Sequence, residues 1–217
     1  MMKTILKYLW AYFGVVFRLQ TYLNLVYLML VFPLGLAYFI FLVTGFSIGL
    51  GTSVLLFGLL IIGLMFACSW GLSAFERQMA IWLLRVKIEP MSKPSPPGLG
   101  FWKRFTAYLT NPVTWLGLAY LLLKLPIGVV VFSVYLALLI SSAAFLFAPL
   151  SMGWLKFDLG FWVLDSFPEY LVASFLGIFI TLTSFHILNG LAYLLGQMSA
   201  FMLGGRKLKP GSQDANS

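Results

Sequence analysis

The chain has 217 residues, of which 61% are apolar and only 9% are charged, and its mean hydropathy is +0.98. A soluble domain of this size could not cover such a composition with polar surface, so the soluble classes of protein are excluded. The formal net charge of +8 comes from 14 Lys and Arg against 6 Asp and Glu. In a chain this apolar, it indicates contact with anionic lipid headgroups and not with nucleic acid.

Four stretches that are uncharged or nearly so are long enough to cross a hydrocarbon core of about 30 Å as helices, which takes about 20 residues each. They lie at residues 22–46, 49–74, 114–137 and 170–193. The sequence therefore predicts an all-α integral membrane protein with four transmembrane helices. Cys68, the only cysteine, lies inside the second stretch, which excludes an intrachain disulfide and a cysteine-based metal site.

Basic residues mark one side of the membrane. Lys and Arg gather before the first span, between the second and third spans, and after the fourth. The segment between the third and fourth spans instead carries Lys156 against Asp158, Asp165 and Glu169. By the positive-inside rule, we expect a multi-pass protein of the cell membrane with both termini cytoplasmic and this acidic segment outside.

Two parts of the chain match each other. The matching positions are Thr21, Tyr27, Pro33 and Gly35 against Thr114, Tyr120, Pro126 and Gly128, at a shift of 93 residues, and Gly71 and Gln78 against Gly190 and Gln197, at a shift of 119. The difference places an insertion at about 142–168. We predict two tandem two-helix repeats of parallel orientation that together form a four-helix bundle.

This repeat sets the predicted domain organisation. The first repeat covers 1–89, a Pro-rich cytoplasmic linker 90–98, the second repeat 99–209, and a disordered tail 210–217. Basic and aromatic residues alternate at 3–18, 75–87, 101–108 and 197–209, which predicts amphipathic interfacial helices. The segments 75–87 and 197–209 are where we expect a partner chain to dock.

Several motifs occur together in a characteristic order. A Tyr-x5-Pro-[Leu/Ile]-Gly pattern stands at 27–35 and 120–128, and Asp-Ser-Phe-Pro-Glu-Tyr at 165–170 leads to His-Ile-Leu-Asn-Gly-Leu at 186–191. Over residues 12–204 the chain resembles the four-span membrane sensor domain family, the N-terminal input domain of many actinobacterial and archaeal histidine kinases. The resemblance implies an input module for signal transduction. Because only 14 residues follow Leu203, we expect no kinase domain here and a signal that passes through a partner chain.

We therefore predict a non-enzymatic sensor or regulatory module. Two alternatives stay open: an accessory structural subunit of a larger membrane complex, and a small transporter or lipid-handling protein. An enzyme is disfavoured because charged and nucleophilic residues are too few and too scattered for a catalytic cluster, and no catalytic or metal-binding residue is predicted.

Three residues within the spans are candidates for a ligand site or a polar pocket. Lys124 lies about 15 Å inside the third span, where it could hold an anionic headgroup, pair with another polar group or carbonyl, or snorkel. His186, the only histidine, could form a polar pocket with Asn189, act as a proton-sensitive switch, or make an interhelical hydrogen bond. Glu76 is predicted to be a helix cap that contacts headgroups at the membrane boundary.

The outer insertion supplies a second group of candidates, which form either a ligand surface or interfacial anchors: Trp154, Asp158, Trp162, Asp165 and Glu169. Pro33, Pro126 and Gly190 are candidate hinges. No cofactor is predicted, although a lipid, or a single chlorin on His186, are options. The expected partners are membrane lipids and either a partner chain or a second copy of this chain.

Overall fold

The computed structural model describes residues 12–54, 56–90, 103, 106, 110–153, 157–158, 160 and 163–204. Four long helices occupy most of these residues: α1 (Leu19–Gly51), α2 (Leu56–Leu84), α3 (Pro112–Leu146) and α4 (Phe167–Leu203). Each is long and apolar enough to cross a membrane. The chain is a multi-pass membrane protein, and the predicted all-α fold with four transmembrane helices is confirmed.

The helices are longer than the predicted spans. They contain 33, 29, 35 and 37 residues, or roughly 44 to 56 Å at about 1.5 Å per residue, against a hydrocarbon core of about 30 Å. Residues 75–84 and 197–203, which the sequence assigned to interfacial helices, continue α2 and α4. Helix therefore extends past the bilayer core, because its backbone groups are satisfied internally in lipid and in water alike.

The insertion between α3 and α4 is folded against the beginning of α4. After a 3-10 turn at Ala148–Ser151, β1 (Phe157–Asp158) pairs antiparallel with β2 (Val163–Leu164). Gly160 stands between the strands at φ +80°, a left-handed conformation that glycine adopts without strain. A small apolar cluster joins this loop to the helices: Ala148, Leu164, Tyr170 and Ala173, with Phe145 packed against them.

Two compact units make up the chain. Compact unit 1 contains Met1–Pro33 and Ile127–Leu194, and compact unit 2 contains Leu34–Pro126 and Leu195–Ser217. The boundaries in α1 and α3 fall directly after Pro33 and Pro126. Each compact unit therefore takes segments from both predicted repeats, and the division of the sequence at 1–89 and 99–209 stays a prediction.

Matching positions of the two predicted repeats have the same packing role. In compact unit 1, Tyr22 meets Phe185 edge-on, with ring centroids 6.4 Å apart and an interplanar angle of 69°. The corresponding pair in compact unit 2 is Trp115 and Phe66, at 5.6 Å and again 69°. The buried positions coincide as well, since both members are buried in each of the following pairs: Thr21 and Thr114, Tyr27 and Tyr120, Leu28 and Leu121.

Candidate functional site

A buried ion pair lies between α2 and α3 in compact unit 2. The ammonium of Lys124 donates a hydrogen bond to Oε2 of Glu76, and the hydroxyl of Tyr38 on α1 donates to Oε1 of the same carboxylate at 2.7 Å. The Lys124 ammonium also lies 5.7 Å from the centre of the Tyr38 ring, within the range of a cation–π interaction. Three helices thus each contribute one side chain, and we call this group the Tyr38–Glu76–Lys124 cluster.

The cluster is closed to solvent. Glu76 is 0% exposed, Lys124 3% and Tyr38 5%. Tyr38 also belongs to an apolar cluster with side chains of α1, α3 and the end of α4, among them Leu42, Leu121, Leu203, Leu34, Leu122 and Met198. Because a charge at this depth is costly without a partner, each ion requires the other.

The contacts between α2 and α3 advance in the same direction along both helices. Phe66 meets Trp115, Ser73 lies against Gly117, and Glu76 pairs with Lys124. The two helices therefore run in the same direction at this contact, and two distant parts of the sequence supply opposite charges at the same level.

The prediction for Glu76 was wrong. The sequence placed it at the membrane boundary as a cap, because it follows the predicted second span, whereas the structure buries its carboxylate completely and leaves Arg77 half-buried. Lys124 pairs with a polar residue of another helix, one of the alternatives that the sequence left open. One signal could have joined the two residues: Glu76 is the only acidic residue of α2, and Lys124 is the only basic residue of α3.

The matching positions of the predicted repeats carry no charge. At the same shifts, Tyr38, Glu76 and Lys124 correspond to Val131, Leu195 and Val31. All six side chains are buried. The same packing positions are therefore filled by aliphatic side chains elsewhere in the chain, so the fold does not itself require charge at them.

A chain of hydrogen bonds lies in compact unit 1. Asn24 of α1 receives a hydrogen bond from Gln20 and donates one to the side-chain oxygen of Asn189 on α4, both at 2.8 Å. The Asn189 amide donates to Thr21 at 3.1 Å, and Thr21 donates to the carbonyl of Val15 at 2.9 Å. Asn189 is thus an interhelical clamp between α4 and the beginning of α1.

His186 has different partners. Its ring stacks on Tyr12 with centroids 5.1 Å apart, and its Nε2 lies 3.2 Å from the Tyr12 carbonyl oxygen. Since a carbonyl only accepts, Nε2 carries the proton in this contact. The Tyr12 hydroxyl bonds Thr183 at 2.8 Å. His186 is exposed, and a pocket shared with Asn189, like a chlorin ligand role, stays a prediction.

The acidic candidates of the insertion have local roles. Asp158 accepts a hydrogen bond from the backbone of Gly160 at 2.7 Å, which stabilises the turn between β1 and β2. Glu169 accepts from the backbone amides of Asp165 and Ser166 at 2.8 and 3.2 Å, as in a capping box at the beginning of α4. The candidates Trp154 and Trp162 lie outside the described residues.

Two of the candidate hinges are followed closely by tightly packed glycines. A Cβ atom on Gly35 would lie 2.8 Å from the backbone oxygen of Lys124, and one on Gly128 would lie 3.0 Å from Cα of Phe32. Pro33 and Pro126 themselves are exposed and lie within continuous helix. Gly190, the third candidate, has open space around it. The hinge role of these residues stays a prediction.

The segment after α2 is tied back to the helix. Arg77 donates from Nη2 to the carbonyl of Ile88 at 2.6 Å and from Nε to the carbonyl of Glu89 at 2.9 Å. Arg85 stands at φ +53°, an uncommon conformation for a residue with a side chain. A shallow cavity of about 480 Å³ lies here, lined by Ile81, Arg85, Val86, Lys87, Ile88 and Glu89.

Comparison with known proteins gives one match. A family model described as "Putative sensor" matches residues 27–203. The matched range includes all three residues of the Tyr38–Glu76–Lys124 cluster and the whole insertion. No curated protein and no solved structure matches the chain.

Proposed function

The chain belongs to the "Putative sensor" family, and from this premise we propose that it is a non-enzymatic membrane sensor that passes a signal to a partner chain. The predicted family is confirmed by the match to residues 27–203. We further propose that the protein lies in the cell membrane with both termini cytoplasmic. The asymmetry of Lys and Arg along the sequence supports this orientation.

The observation that carries the proposal is the charge of the Tyr38–Glu76–Lys124 cluster. A buried ion pair is weak evidence for stability, because apolar side chains of similar volume commonly stabilise a protein as well or better. The corresponding positions Val131, Leu195 and Val31 show that this chain packs apolar side chains at such positions. An ionisable residue inside a membrane therefore points to function, and here to a contact with two states, paired and separated.

A route from this contact to the segment that follows α2 exists within α2. Glu76 faces the buried cluster, and its neighbour Arg77 holds the carbonyls of Ile88 and Glu89. A rotation or shift of α2 that separates Glu76 from Lys124 would also move the guanidinium of Arg77. The segment 85–90 would then be released or displaced where we propose that a partner docks, so a change in the membrane becomes a change at the surface.

The test compares the natural chain with an apolar triple variant, Tyr38→Phe with Glu76→Leu and Lys124→Val. Photocrosslinking residues introduced at Gln78 and Gln197 in native membranes are expected to capture a defined partner chain. The apolar triple variant should fold but lose at least about 90% of the stimulus-dependent change in capture, because it has no ion pair to separate. A tenfold loss corresponds to about 1.4 kcal/mol of coupling between the cluster and the partner. The matched control, Val131→Leu, changes a buried apolar position and should leave capture unaltered.

Two results would contradict the proposal. Capture of lipid or of the same chain alone would favour the accessory structural subunit. A partner captured equally well by the natural chain and by the apolar triple variant, under every condition, would separate the partner from the cluster. In that case the two-state role of the Glu76–Lys124 contact is wrong.

A further inference from the structure

The cavity at the end of α2 has a wall that is partly basic and partly apolar. It is lined by Arg85, Lys87 and Glu89 together with Ile81, Val86 and Ile88. Its volume of about 480 Å³ falls within the range of about 300–1,000 Å³ that is typical of small-ligand sites. Two basic side chains against one acidic side chain leave the wall with a net positive charge, which favours an anionic ligand.

Both basic side chains are available to a ligand. Arg85 and Lys87 are exposed, and neither side chain makes a hydrogen bond or an ion pair within the described part of the chain. Arginine binds phosphate through its planar fork of N–H donors, and lysine binds it as a point charge. The pair therefore offers the two kinds of contact that phosphate groups commonly receive from proteins.

A sharp turn at Arg85 brings the following residues back along α2. Arg85 directly follows the last residue of the helix and stands at φ +53°. Arg77 on the helix then holds the carbonyl groups of Ile88 and Glu89. Glycine is the usual residue in a left-handed position after a helix. An arginine here is disfavoured by the backbone, but it supplies a cation at the cavity.

Packing against the end of α4 holds the segment 85–90 in place. A Cβ atom on Gly196 would lie 2.7 Å from Cγ2 of Val86, and one on Gly204 would lie 3.9 Å from Cγ2 of Ile88. The segment is thus fixed both by Arg77 and by these apolar contacts. A cavity with a preformed wall binds its ligand at a lower cost in conformational entropy.

Exposed aromatic side chains locate the cavity relative to the bilayer. On α2, Phe75 is 49% exposed and Trp82 is 67% exposed. The next exposed side chains are the basic ones of Arg85 and Lys87. Tryptophan gathers at the level of the lipid headgroups, and basic residues gather just beyond the ends of membrane helices. The cavity therefore lies where phospholipid headgroups are found.

We propose that this cavity binds the headgroup of one anionic phospholipid. The phosphate lies between the guanidinium of Arg85 and the ammonium of Lys87, and the apolar wall at Ile81 and Val86 contacts the glycerol and the first carbons of the acyl chains. This is one defined site, as distinct from the general attraction of basic segments to anionic membranes. The proposal names a stimulus for the function proposed above and rests on that function for its role in sensing.

The apolar half of the wall distinguishes a lipid from a soluble anion. A soluble anion would contact only Arg85 and Lys87 and would leave Ile81 and Val86 in water. A phospholipid is charged at one end and apolar at the other, as the wall is, so it covers both halves.

A bound lipid would stabilise the held form of the segment 85–90. The cavity exists only while Val86 and Ile88 pack against α4 and Arg77 holds the two carbonyl groups. A ligand that binds one of two forms shifts the equilibrium toward it. Loss of the anionic lipid therefore favours release of the segment, which is the change that the proposed partner would detect.

Lipid binding to the purified full chain is the first test, with phosphatidylglycerol as the probe and phosphatidylcholine as the reference, and with native mass spectrometry as the readout. The natural chain should retain one phosphatidylglycerol. Arg85→Gln with Lys87→Gln should weaken this binding at least about tenfold, because each basic residue at a membrane surface contributes about fivefold. Arg18→Gln with Lys103→Gln removes the same charge from exposed positions elsewhere and should have little effect. Equal losses in the two double variants, or no loss in either, would overturn the proposal.

The shape of the site is tested without changing its charge. Ile81→Trp should fill the cavity and block phosphatidylglycerol, whereas Leu64→Trp, at an exposed position of the same helix, should not. Unimpaired binding by Ile81→Trp would mean that the basic residues attract lipid without a cavity. Displacement of the lipid by inorganic phosphate at millimolar concentration would show that the site takes a soluble anion, and either result overturns the proposal.

Thiol accessibility tests the link to the segment 85–90. In a Cys68→Ser background, Pro90→Cys should react with a soluble thiol reagent about threefold or more slowly once phosphatidylglycerol exceeds about twice its dissociation constant. Adding Arg85→Gln and Lys87→Gln should abolish the difference between the two lipids. Equal reactivity in both lipids with the natural cavity would overturn the link to sensing. None of these measurements requires a partner chain, so their failure and a failure of the crosslinking test above are distinguishable.

Discussion

The carboxylate of Glu76 on α2 accepts a hydrogen bond from the ammonium of Lys124 on α3, and the matching repeat positions of these two residues are Leu195 and Val31. All four side chains are buried. The chain therefore contains a charged and an apolar version of the same pair of positions. This comparison allows the energy of the ion pair to be measured with substitutions that the chain itself indicates.

Breaking the pair by one substitution should be far worse than replacing it whole. We expect Glu76→Leu or Lys124→Val alone to lower the free energy of unfolding by about 3–5 kcal/mol, since each leaves an uncompensated buried charge. The apolar triple variant should be between neutral and about 4 kcal/mol more stable than the natural chain. Unfolding by SDS titration of the purified protein measures both.

The control for this prediction is Val31→Leu, which alters a buried aliphatic residue without touching a charge. Its effect should stay within about 1–3 kcal/mol, the usual cost of overpacking. If the two single charge variants and the triple variant were equally destabilised, the ion pair would be a structural requirement of the fold and the case for a two-state contact would fail.

Close helix packing at Gly35 and Gly128 gives a second prediction. A methyl group would lie 2.8 Å from the Lys124 carbonyl oxygen in one case and 3.0 Å from Cα of Phe32 in the other. Gly35→Ala and Gly128→Ala should each destabilise by about 1–3 kcal/mol because backbone must move. Gly71→Ala, with open space around it, is the control and should be neutral or stabilising, as alanine favours helix over glycine.

The amide network of compact unit 1 gives a third prediction. A double-mutant cycle on Asn24→Leu and Asn189→Leu should yield a coupling energy of about 0.6 kcal/mol, and no more than about 1.7 kcal/mol, as for other interhelical hydrogen bonds in membranes. A cycle that pairs Asn24→Leu with Ser142→Ala serves as the control, since Ser142 bonds Ser184 instead. Coupling of zero between Asn24 and Asn189 would contradict the clamp.

Apolar patterning predicted the fold because the bilayer permits few alternatives. Stretches of about 20 apolar residues cross as helices, whatever their order of side chains. The same patterning could not set the helix ends: residues 75–84 and 197–203 are amphipathic, so lipid and water both accept them as helix. The two compact units could not be predicted from the sequence. Both α1 and α3 are divided between the units, after Pro33 and Pro126, and this division depends on side-chain packing.

Of the two charged residues in the candidate site, the sequence indicated only Lys124. Lys124 was recognised because it interrupts an apolar stretch. Glu76 was taken for a boundary residue because the predicted second span ended at residue 74, whereas α2 continues to Leu84. The two residues are 48 positions apart, and only the depth at which α2 and α3 meet brings them together. Nε1 of Trp70 and Oγ1 of Thr114, which are buried without a hydrogen-bond partner among the described residues, carry no sequence signal, since each residue is ordinary in a membrane helix.

Orientation in the membrane is a fourth prediction. In a Cys68→Ser background, Ser95→Cys and Met152→Cys should be labelled by an impermeant thiol reagent from opposite sides, the former from the cytoplasm. Met152 is 42% exposed and lies just after the 3-10 turn that follows α3, so its substitution disturbs little packing. Labelling of both positions from one side would refute the proposed orientation.

The last prediction concerns the coupling of Glu76 to the segment 85–90 through Arg77. Arg77→Gln removes the hydrogen bonds to the carbonyls of Ile88 and Glu89 and should raise the thiol reactivity of Lys87→Cys. We expect a rise of about fivefold or more, since hydrogen bonds from a charged donor contribute about 1.5–3 kcal/mol. If α2 transmits the state of the ion pair, Lys124→Val should raise the same reactivity with Arg77 intact, whereas Asn189→Leu should not. If the thiol reactivity rises with Arg77→Gln but not with Lys124→Val, the contact of Arg77 with the segment 85–90 is only local, and the signal leaves the membrane by another helix.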